Sequence, residues 1–343
     1  MQDIRELTLE ELEKIMMRIG LPDFHARQIY AWIYQKGVSG FSQMTDLPLV
    51  LRRKLSEEFF FNQAKVIRTA SSCDGTEKLL LRLEDNYVIE VVIIPASRRI
   101  TGCVSTQVGC KFACSFCASG IQGFKRNLSC AEIVDEVLRI KGYLKNANLT
   151  HIVFMGTGEP LDNYDNLFKA VRIINSPAGL HIGTRRITIS TAGFVPGIRK
   201  MAKEGMQVEL SISLHAATDT LRSKLMPINK RYPLAELISV CKDYIRQTRR
   251  QITFEYILIA GVNSTLQEAD NLARMLSGLR LCKVNLIPAN AVRELGVYPP
   301  DKIEILSFRQ ALLRQGIHVT LRKSRGQDIE AACGQLRLRD EEK

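Results

Sequence analysis

Three thiols crowd one short stretch of the chain, Cys110-Lys111-Phe112-Ala113-Cys114-Ser115-Phe116-Cys117. Thiolates at this spacing can meet on a metal centre, whereas buried cysteines kept only for packing have no reason to cluster. A structural zinc site would recruit a fourth Cys or His close by, yet no His lies between Cys73 and Cys130. A ferredoxin-type cluster takes four thiolates. A [4Fe-4S] cluster held by these three alone therefore keeps one iron for a ligand that is not protein, and an open position means chemistry.

Such a loop needs a scaffold, and the chain that follows supplies one. Strands are expected near 151–155, 186–190, 208–214, 252–259, 282–287 and 317–322, separated by helices near 130–144, 163–175, 195–204, 233–247, 265–277 and 301–315. Short β-rich runs alternating with helices make parallel βαβ units, here an α/β fold of the (β/α)6 partial TIM-type barrel kind. In such barrels function gathers on the loops at the carboxyl ends of the strands. The unusual polar residues fall there: Gly156-Thr157-Gly158-Glu159-Pro160, Ser190 before Thr191, Ser213-Leu214-His215, and Asn290 after Pro288-Ala289. A glycine-rich turn allows close backbone approach to a ligand, and Glu159, held extended by Pro160, can accept bonds from an ammonium group. Taken singly, the turn could be an ordinary strand-to-helix connection and His215 a satisfied core histidine. Four such sites at one end of one barrel, beside the cysteine loop, point to a ligand-binding mouth.

Three further residues stand out. Glu90 interrupts the β-branched run Val88-Ile89-Glu90-Val91-Val92, as part of an outward face or as a base aimed into a site. Cys333 lies in the tail between small residues, Ala331-Ala332-Cys333-Gly334, where packing and a reactive thiol are both open readings. Cys103, at the entry to the cysteine loop, is open in the same way. Cys73, Cys130, Cys241 and Cys282 read as small apolar fillers.

Upstream, Thr8-Leu9-Glu10-Glu11 is a capping box that begins a helix, and apolar patterns through Phe24, Ile29, Trp32 and Ile33 and from Leu49 to Phe60 suggest two more. Residues 1–62 read as a small helical accessory domain, 63–96 as a β-hairpin linker turning at Asp85-Asn86, and 97–343 as the barrel with its tail carrying Cys333. Hydrophobic residues at 45% and charged residues at 24% describe a globular chain. No run approaches the ~18 apolar residues of a membrane span, and the amino terminus lacks a secretory pattern. Nine cysteines, an odd count, fit free thiols and a metal in a reducing compartment better than a disulfide framework; a soluble cytoplasmic protein, monomeric, is expected. The net charge of +12 belongs wholly to residues 66–343, because residues 1–65 balance nine basic against nine acidic side chains. Basic pairs such as Arg98-Arg99, Lys125-Arg126, Arg185-Arg186, Arg199-Lys200, Arg249-Arg250 and Arg322-Lys323 suggest a phosphate-lined mouth and a nucleic-acid partner.

Cys110-x-x-x-Cys114-x-x-Cys117 with Phe116 before the last thiol resembles the signature of radical S-adenosylmethionine (SAM) enzymes. The flanks Gly102 to Gly109 and Phe124 to Leu128, the tail Ala331 to Leu336, and the amino-terminal Phe24-His25-Ala26-Arg27-Gln28-Ile29 resemble the RlmN/Cfr family of RNA adenosine methyltransferases, over nearly the whole chain. The resemblance implies Cys110, Cys114 and Cys117 as ligands of a [4Fe-4S] cluster whose open iron chelates SAM. It implies Gly158, Glu159, Ser190, Ser213, Leu214, His215 and Asn290 as cofactor contacts. It further implies that Cys333 is methylated and then carries the carbon that adds to adenine, that Cys103 forms a disulfide with Cys333 to release the RNA, and that Glu90 accepts a proton. The expected substrates are 23S rRNA and tRNA, and the expected electron donor is a flavodoxin or ferredoxin. Thr157 stands where the family pattern has Met, and Ala291 where it has Pro. The tail Lys323 to Asp328 is closer to the branch that methylates C2 than to the C8 branch. The alternatives are C8 methylation and a metal-stapled RNA-binding module without catalysis.

Overall fold

The protein is described by a computed structural model covering residues 1–336 except 122, 146, 293 and 294; the end of the barrel segment, 337–343, lies outside the described residues. At the amino terminus β1 (Gln2–Asp3) pairs in parallel with β2 (Phe59–Phe60), and α1 (Leu9–Arg18), α2 (Phe24–Tyr30) and α3 (Leu49–Glu58) pack between them. The Thr8 hydroxyl and Glu11 carboxylate cap α1 reciprocally, which satisfies two backbone donors that a bare helix end would leave unpaired. Arg5 locks this domain to the barrel. Its buried guanidinium meets Asp3 at 2.7 Å, Asp135 at 2.5 Å and the Asn62 carbonyl, and Asp135 also accepts the Ala64 N–H.

Strands β3 (Lys65–Ser71), β4 (Glu77–Arg82), β5 (Val88–Ala96) and β6 (Arg99–Val104) run antiparallel. β4 turns into β5 through Asp85-Asn86, with Asn86 at φ +66°. The cysteine loop follows, bracketed by β7 (Gln107–Val108) and β8 (Arg126–Asn127). Alternation then proceeds as α4 (Cys130–Leu144), β9 (His151–Phe154), α5 (Tyr164–Asn175), β10 (Ile187–Thr191), α6 (Val195–Met201), β11 (Glu209–Ser213), α7 (Asp219–Leu225), α8 (Leu234–Thr248), β12 (Ile252–Leu258), α9 (Leu266–Leu276), β13 (Cys282–Pro288), α10 (Lys302–Arg314) and β14 (Val319–Leu321). One ten-stranded sheet results, in the order β14-β13-β12-β11-β10-β9-β6-β5-β4-β3. Its parallel part is the expected six strands of the partial barrel, β9 to β14, preceded by one more, β6, beside β9. Residues 65–96 continue this sheet rather than standing apart from it. Helix α7 has no counterpart in the expected pattern, because Thr218 to Leu225 is short and its apolar face is only two residues wide.

The barrel strands alternate strictly. Ile152, Phe154, Ile187, Ile189, Leu210, Ile212, Ile252, Phe254, Val284 and Leu286 are fully buried beneath the helices, each contributing about 1.5–3 kcal/mol relative to exposure. The intervening positions face the barrel interior. There the usual bulky branched filling is replaced by Thr188, Ser211, Thr253 and Asn285, and a cavity of about 470 Å³ remains.

Candidate active site

The cysteine loop is shaped by its own crowding. Gly109 takes φ +73°, and a side chain there would collide with the Gly123 carbonyl; β7 and β8 therefore close tightly at the base of the loop. Above them Cys110, Cys114 and Cys117 line a second cavity, of about 170 Å³, together with Phe116, Glu159 and His215. The Ser115 N–H donates to the Leu225 carbonyl at 2.9 Å, so α7 supports the loop from below. Burial pushes the Cys110 thiol up to about 12 and Cys114 well above the ordinary thiol range. Thiolates here thus need a positive centre, which iron supplies. Among the described residues no three ligand side chains converge as they would on a single ion. A cuboidal cluster takes one thiolate per corner, which suits three thiols spread around one cavity.

Glu159 reaches this cavity from the turn after β9, in the extended conformation that Pro160 imposes (φ −101°, ψ 110°). Its carboxylate accepts the Ala192 N–H at 2.7 Å and the Leu161 N–H at 3.1 Å, and burial pushes it up to about 7. Among the described residues it forms no salt bridge. A buried carboxylate surrounded by neutral donors fits a cationic ligand such as the SAM ammonium group. The two glycines of the turn, however, are required by the protein itself. A Cβ at Gly158 would lie 2.5 Å from Gln107 Cβ, and one at Gly156 2.7 Å from Ser105 Oγ. The close approach these glycines allow is to β6 and β7, and both still line the cavity walled by the three cysteines, where Gly158 is expected to meet the cofactor. Thr157 serves the same seam through its backbone, with the Ser105 hydroxyl accepting its N–H at 3.0 Å.

Ser190 and Ser213 line the cavity. His215 lines it at φ +60°, its Nδ1 accepting the Ile257 N–H at 3.0 Å and its ring edge-on to Phe116 at 4.8 Å. Burial, with Arg222 adding to it, pulls His215 down to about 3, so the ring is neutral and presents Nε2–H. Two expected contacts fall elsewhere. Leu214 is fully buried in the core and does not line the cavity, because strand alternation turns it away from Ser213. Asn290 lines the larger cavity, where its Nδ2 donates to the Cys333 carbonyl at 2.9 Å and its Oδ1 accepts from Gln327. It holds the tail. Ala291 does likewise, its carbonyl accepting from Gln335 at 3.1 Å.

Cys333 lines both cavities and stands where they meet. The tail around it is fastened to the cysteine loop, Ala118 N–H to Gly334 carbonyl at 2.8 Å and Ser119 hydroxyl to Leu336 carbonyl at 2.9 Å. Cys103 faces the same larger cavity, and both cysteines are free thiols. Glu90 is buried, which removes the outward-face reading. It pairs with Lys78 at 2.9 Å and lines neither cavity. Of the expected fillers, Cys130 and Cys241 are buried and Cys282 half-buried, but Cys73 is exposed at a turn.

Arg222 and Glu255 lie outside the expected site residues, and Arg322 takes a different place from the one expected. Arg222, fully buried, donates to the carbonyls of Ala192, Ser213 and Leu214 and so ties the ends of β10 and β11 to α7; nothing in Asp219-Thr220-Leu221-Arg222 announces this. Glu255 lines both cavities from β12 and sits in an aromatic run, the same signal that singled out Glu90. Arg322, expected on a phosphate-binding rim, points into the barrel instead. The rim is also thinner than charge counting suggests, since Arg126, Arg199, Lys200 and Arg250 are paired with acidic neighbours. No helix among the described residues is long and apolar enough to cross a membrane.

Comparison with known proteins places this geometry. A family model described as the radical SAM superfamily matches residues 104–276. One described as the ribosomal RNA large subunit methyltransferase N-terminal domain matches residues 2–60. The probable dual-specificity RNA methyltransferase RlmN of Thermoanaerobacter sp. (strain X514) is 49% identical over 338 residues, 98% of either chain. That of Geobacillus kaustophilus is 47% identical over 339 residues, 98% of this chain and 93% of the relative. A crystal structure of a radical SAM methyltransferase from Sphaerobacter thermophilus superposes with a TM-score of 0.93 at 44% identity, covering 98% of this chain and 99% of that one. The chain belongs to the radical SAM superfamily and, within it, to the family of the dual-specificity RNA methyltransferases.

Proposed function

We propose that this protein methylates C2 of adenosine in 23S rRNA and in tRNA, with Cys333 carrying the methyl carbon between cofactor and base. The observation that supports this most directly is the position of Cys333 at the junction of the cluster cavity and the barrel interior. When bound, the cluster and SAM supply the methyl group and the radical chemistry that activates it. Cys110, Cys114 and Cys117 hold the cluster. Glu159 receives the ammonium group of the cofactor, while Ser190, Ser213 and the neutral His215 line its pocket. Asn290 positions the tail by gripping the Cys333 carbonyl. Cys103, facing the same cavity, forms the transient disulfide that frees the RNA, and Glu90 beside Lys78 accepts the proton.

An RNA base must leave its stack to reach so enclosed a thiol, and the unpaired remainder of the basic surface grips the backbone. The electrons that a bound cluster would need would come from a one-electron donor such as a flavodoxin or ferredoxin, and the enzyme works as a cytoplasmic monomer. Mass analysis of adenosine from RNA treated with the anaerobically reconstituted protein tests this reading. 2-Methyladenosine is expected, together with a methyl group on Cys333 in peptide maps. 8-Methyladenosine, or an unmodified Cys333 in protein still able to methylate RNA, would overturn it.

A further inference from the structure

Two charged side chains on the barrel wall beside Cys333 have no part in the chemistry above. Arg322, immediately after β14, lines both cavities together with Cys333, and its Nη1 lies 3.9 Å from Met155 Sδ. Glu255 lines the same two cavities; burial pushes its carboxyl up, and Arg322 opposes that rise. Its orientation is fixed from behind. Asn285 Nδ2 donates to Glu255 Oε2 at 2.8 Å, and Thr320 Oγ1 donates to Asn285 Oδ1 at 2.9 Å. Burying charged side chains in the wall of a cavity is costly, and the sheet holds these two lining the open space rather than packed under helices.

Glu255 is level with Asn285 and Thr320 in the sheet, Arg322 lies two residues nearer the carboxyl ends of the strands, and beyond that end Asn290 holds the Cys333 carbonyl. Along the wall the order is therefore thiol, guanidinium, carboxylate: carbon carrier, hydrogen-bond donor, hydrogen-bond acceptor. The Watson–Crick edge of adenine runs in the complementary order, C2, then N1 as acceptor, then the N6 amino group as donor. We propose that Arg322 and Glu255 read the flipped base, the guanidinium donating to N1 and the carboxylate accepting from N6, so that C2 lies against Cys333. This rests on the C2 reading given above and names the groups that choose the base. Guanine reverses both contacts, setting N1–H against the guanidinium and O6 against the carboxylate, and leaves buried charges unpaired, which sites of this kind reject strongly. The imidazole edge of adenine repeats the order as C8, N7, N6. The same two residues could therefore present C8, and N1 and N7 must be tested separately.

The test uses full-length, anaerobically reconstituted protein and a short RNA hairpin whose target adenosine it methylates. Three copies of the hairpin carry purine riboside (no N6 amino group), 1-deazaadenosine or 7-deazaadenosine at that position. Affinity is read by fluorescence anisotropy and turnover by mass. Wild-type protein is expected to bind the purine and 1-deaza RNAs about tenfold more weakly than the parent, and the 7-deaza RNA equally well. Glu255→Leu should erase the purine penalty and keep the 1-deaza penalty; Arg322→Met should do the reverse. A merely structural role would move both penalties together. If either variant fails to fold in a thermal melt, Glu255→Gln and Arg322→Lys replace them, each expected to shrink only its own penalty. Equal binding of all four RNAs by wild-type protein, or variants that keep both penalties, would overturn base reading while leaving C2 methylation standing. A penalty on the 7-deaza RNA in place of the 1-deaza RNA, or no 2-methyladenosine from the parent hairpin, would overturn the C2 reading itself.

Discussion

Glu159 and Glu90 flank the end of β6, both buried, and Ser105 touches both of their segments: its hydroxyl accepts from Thr157 and donates to the Glu90 carbonyl. Yet they differ in what surrounds them. Glu90 has a lysine at 2.9 Å supplied by the neighbouring strand β4, so its charge is answered within the fold. Glu159 has backbone N–H donors and an open cavity. Neutral donors soften the cost of burying a carboxylate but do not cancel it, and the balance is left for a cation from outside. The comparison separates a carboxylate whose charge a lysine of the fold answers from one whose charge is left for a ligand.

The largest effect expected around the Glu159 cavity comes from its metal. Cys114→Ser should abolish RNA methylation and strip iron and labile sulfide from anaerobically prepared protein; a brown, active variant would show that the three thiols are not the ligands. Next, Glu159→Gln should weaken SAM binding to cluster-loaded protein about 100-fold in equilibrium dialysis, and a loss of less than a few fold would erase the distinction drawn between the two carboxylates. On the Glu90 side the cost should fall on stability instead. Lys78→Met is expected to lower unfolding free energy by about 2 kcal/mol in denaturant melts with SAM affinity unchanged, and a large loss of SAM affinity would show the two regions to be one.

The smallest effect sharpens the comparison with a third carboxylate. Glu136 on α4 accepts the Ser105 N–H at 2.8 Å, its other oxygen is buried without a hydrogen-bond partner, and burial pushes it well above the carboxylate range. The folded protein therefore keeps this proton at pH values where the unfolded chain has lost it. The contribution to stability is full below the unfolded value near 4.5 and declines as pH rises from there toward the folded value. Glu136→Gln should remove that slope, matching wild type near pH 4 and already exceeding it by about 1 kcal/mol near pH 5.5. An unchanged slope would mean that Glu136 is ionised in the fold.

Much of this was legible from local pattern. The six βα repeats, the capped α1, the Asp85-Asn86 turn and the gathering of Glu159, Ser190, Ser213 and His215 at one end follow from periodicity and spacing. Leu214 and Asn290 were misplaced for opposite reasons. Leu214 was carried along by its neighbours although alternation turns it into the core, and Asn290 is captured by a tail segment 43 residues away. Arg222 carries no local signal and Arg322 reads as part of a phosphate-binding rim, because burial of a guanidinium depends on groups brought in from distant parts of the chain.

The sequence by itself determined the chemistry: three clustered thiols without a fourth ligand, and strands whose alternate residues are polar, since both are written in spacings of a few residues. Only the tertiary structure decided which groups face one another. Cys333 meets the cluster cavity, and Arg322 comes to stand between Cys333 and Glu255, because a curled sheet brings together strand ends and a tail that are far apart along the chain. Contacts across such separations are fixed by the packing of helices on the sheet, and no local pattern of residues encodes them.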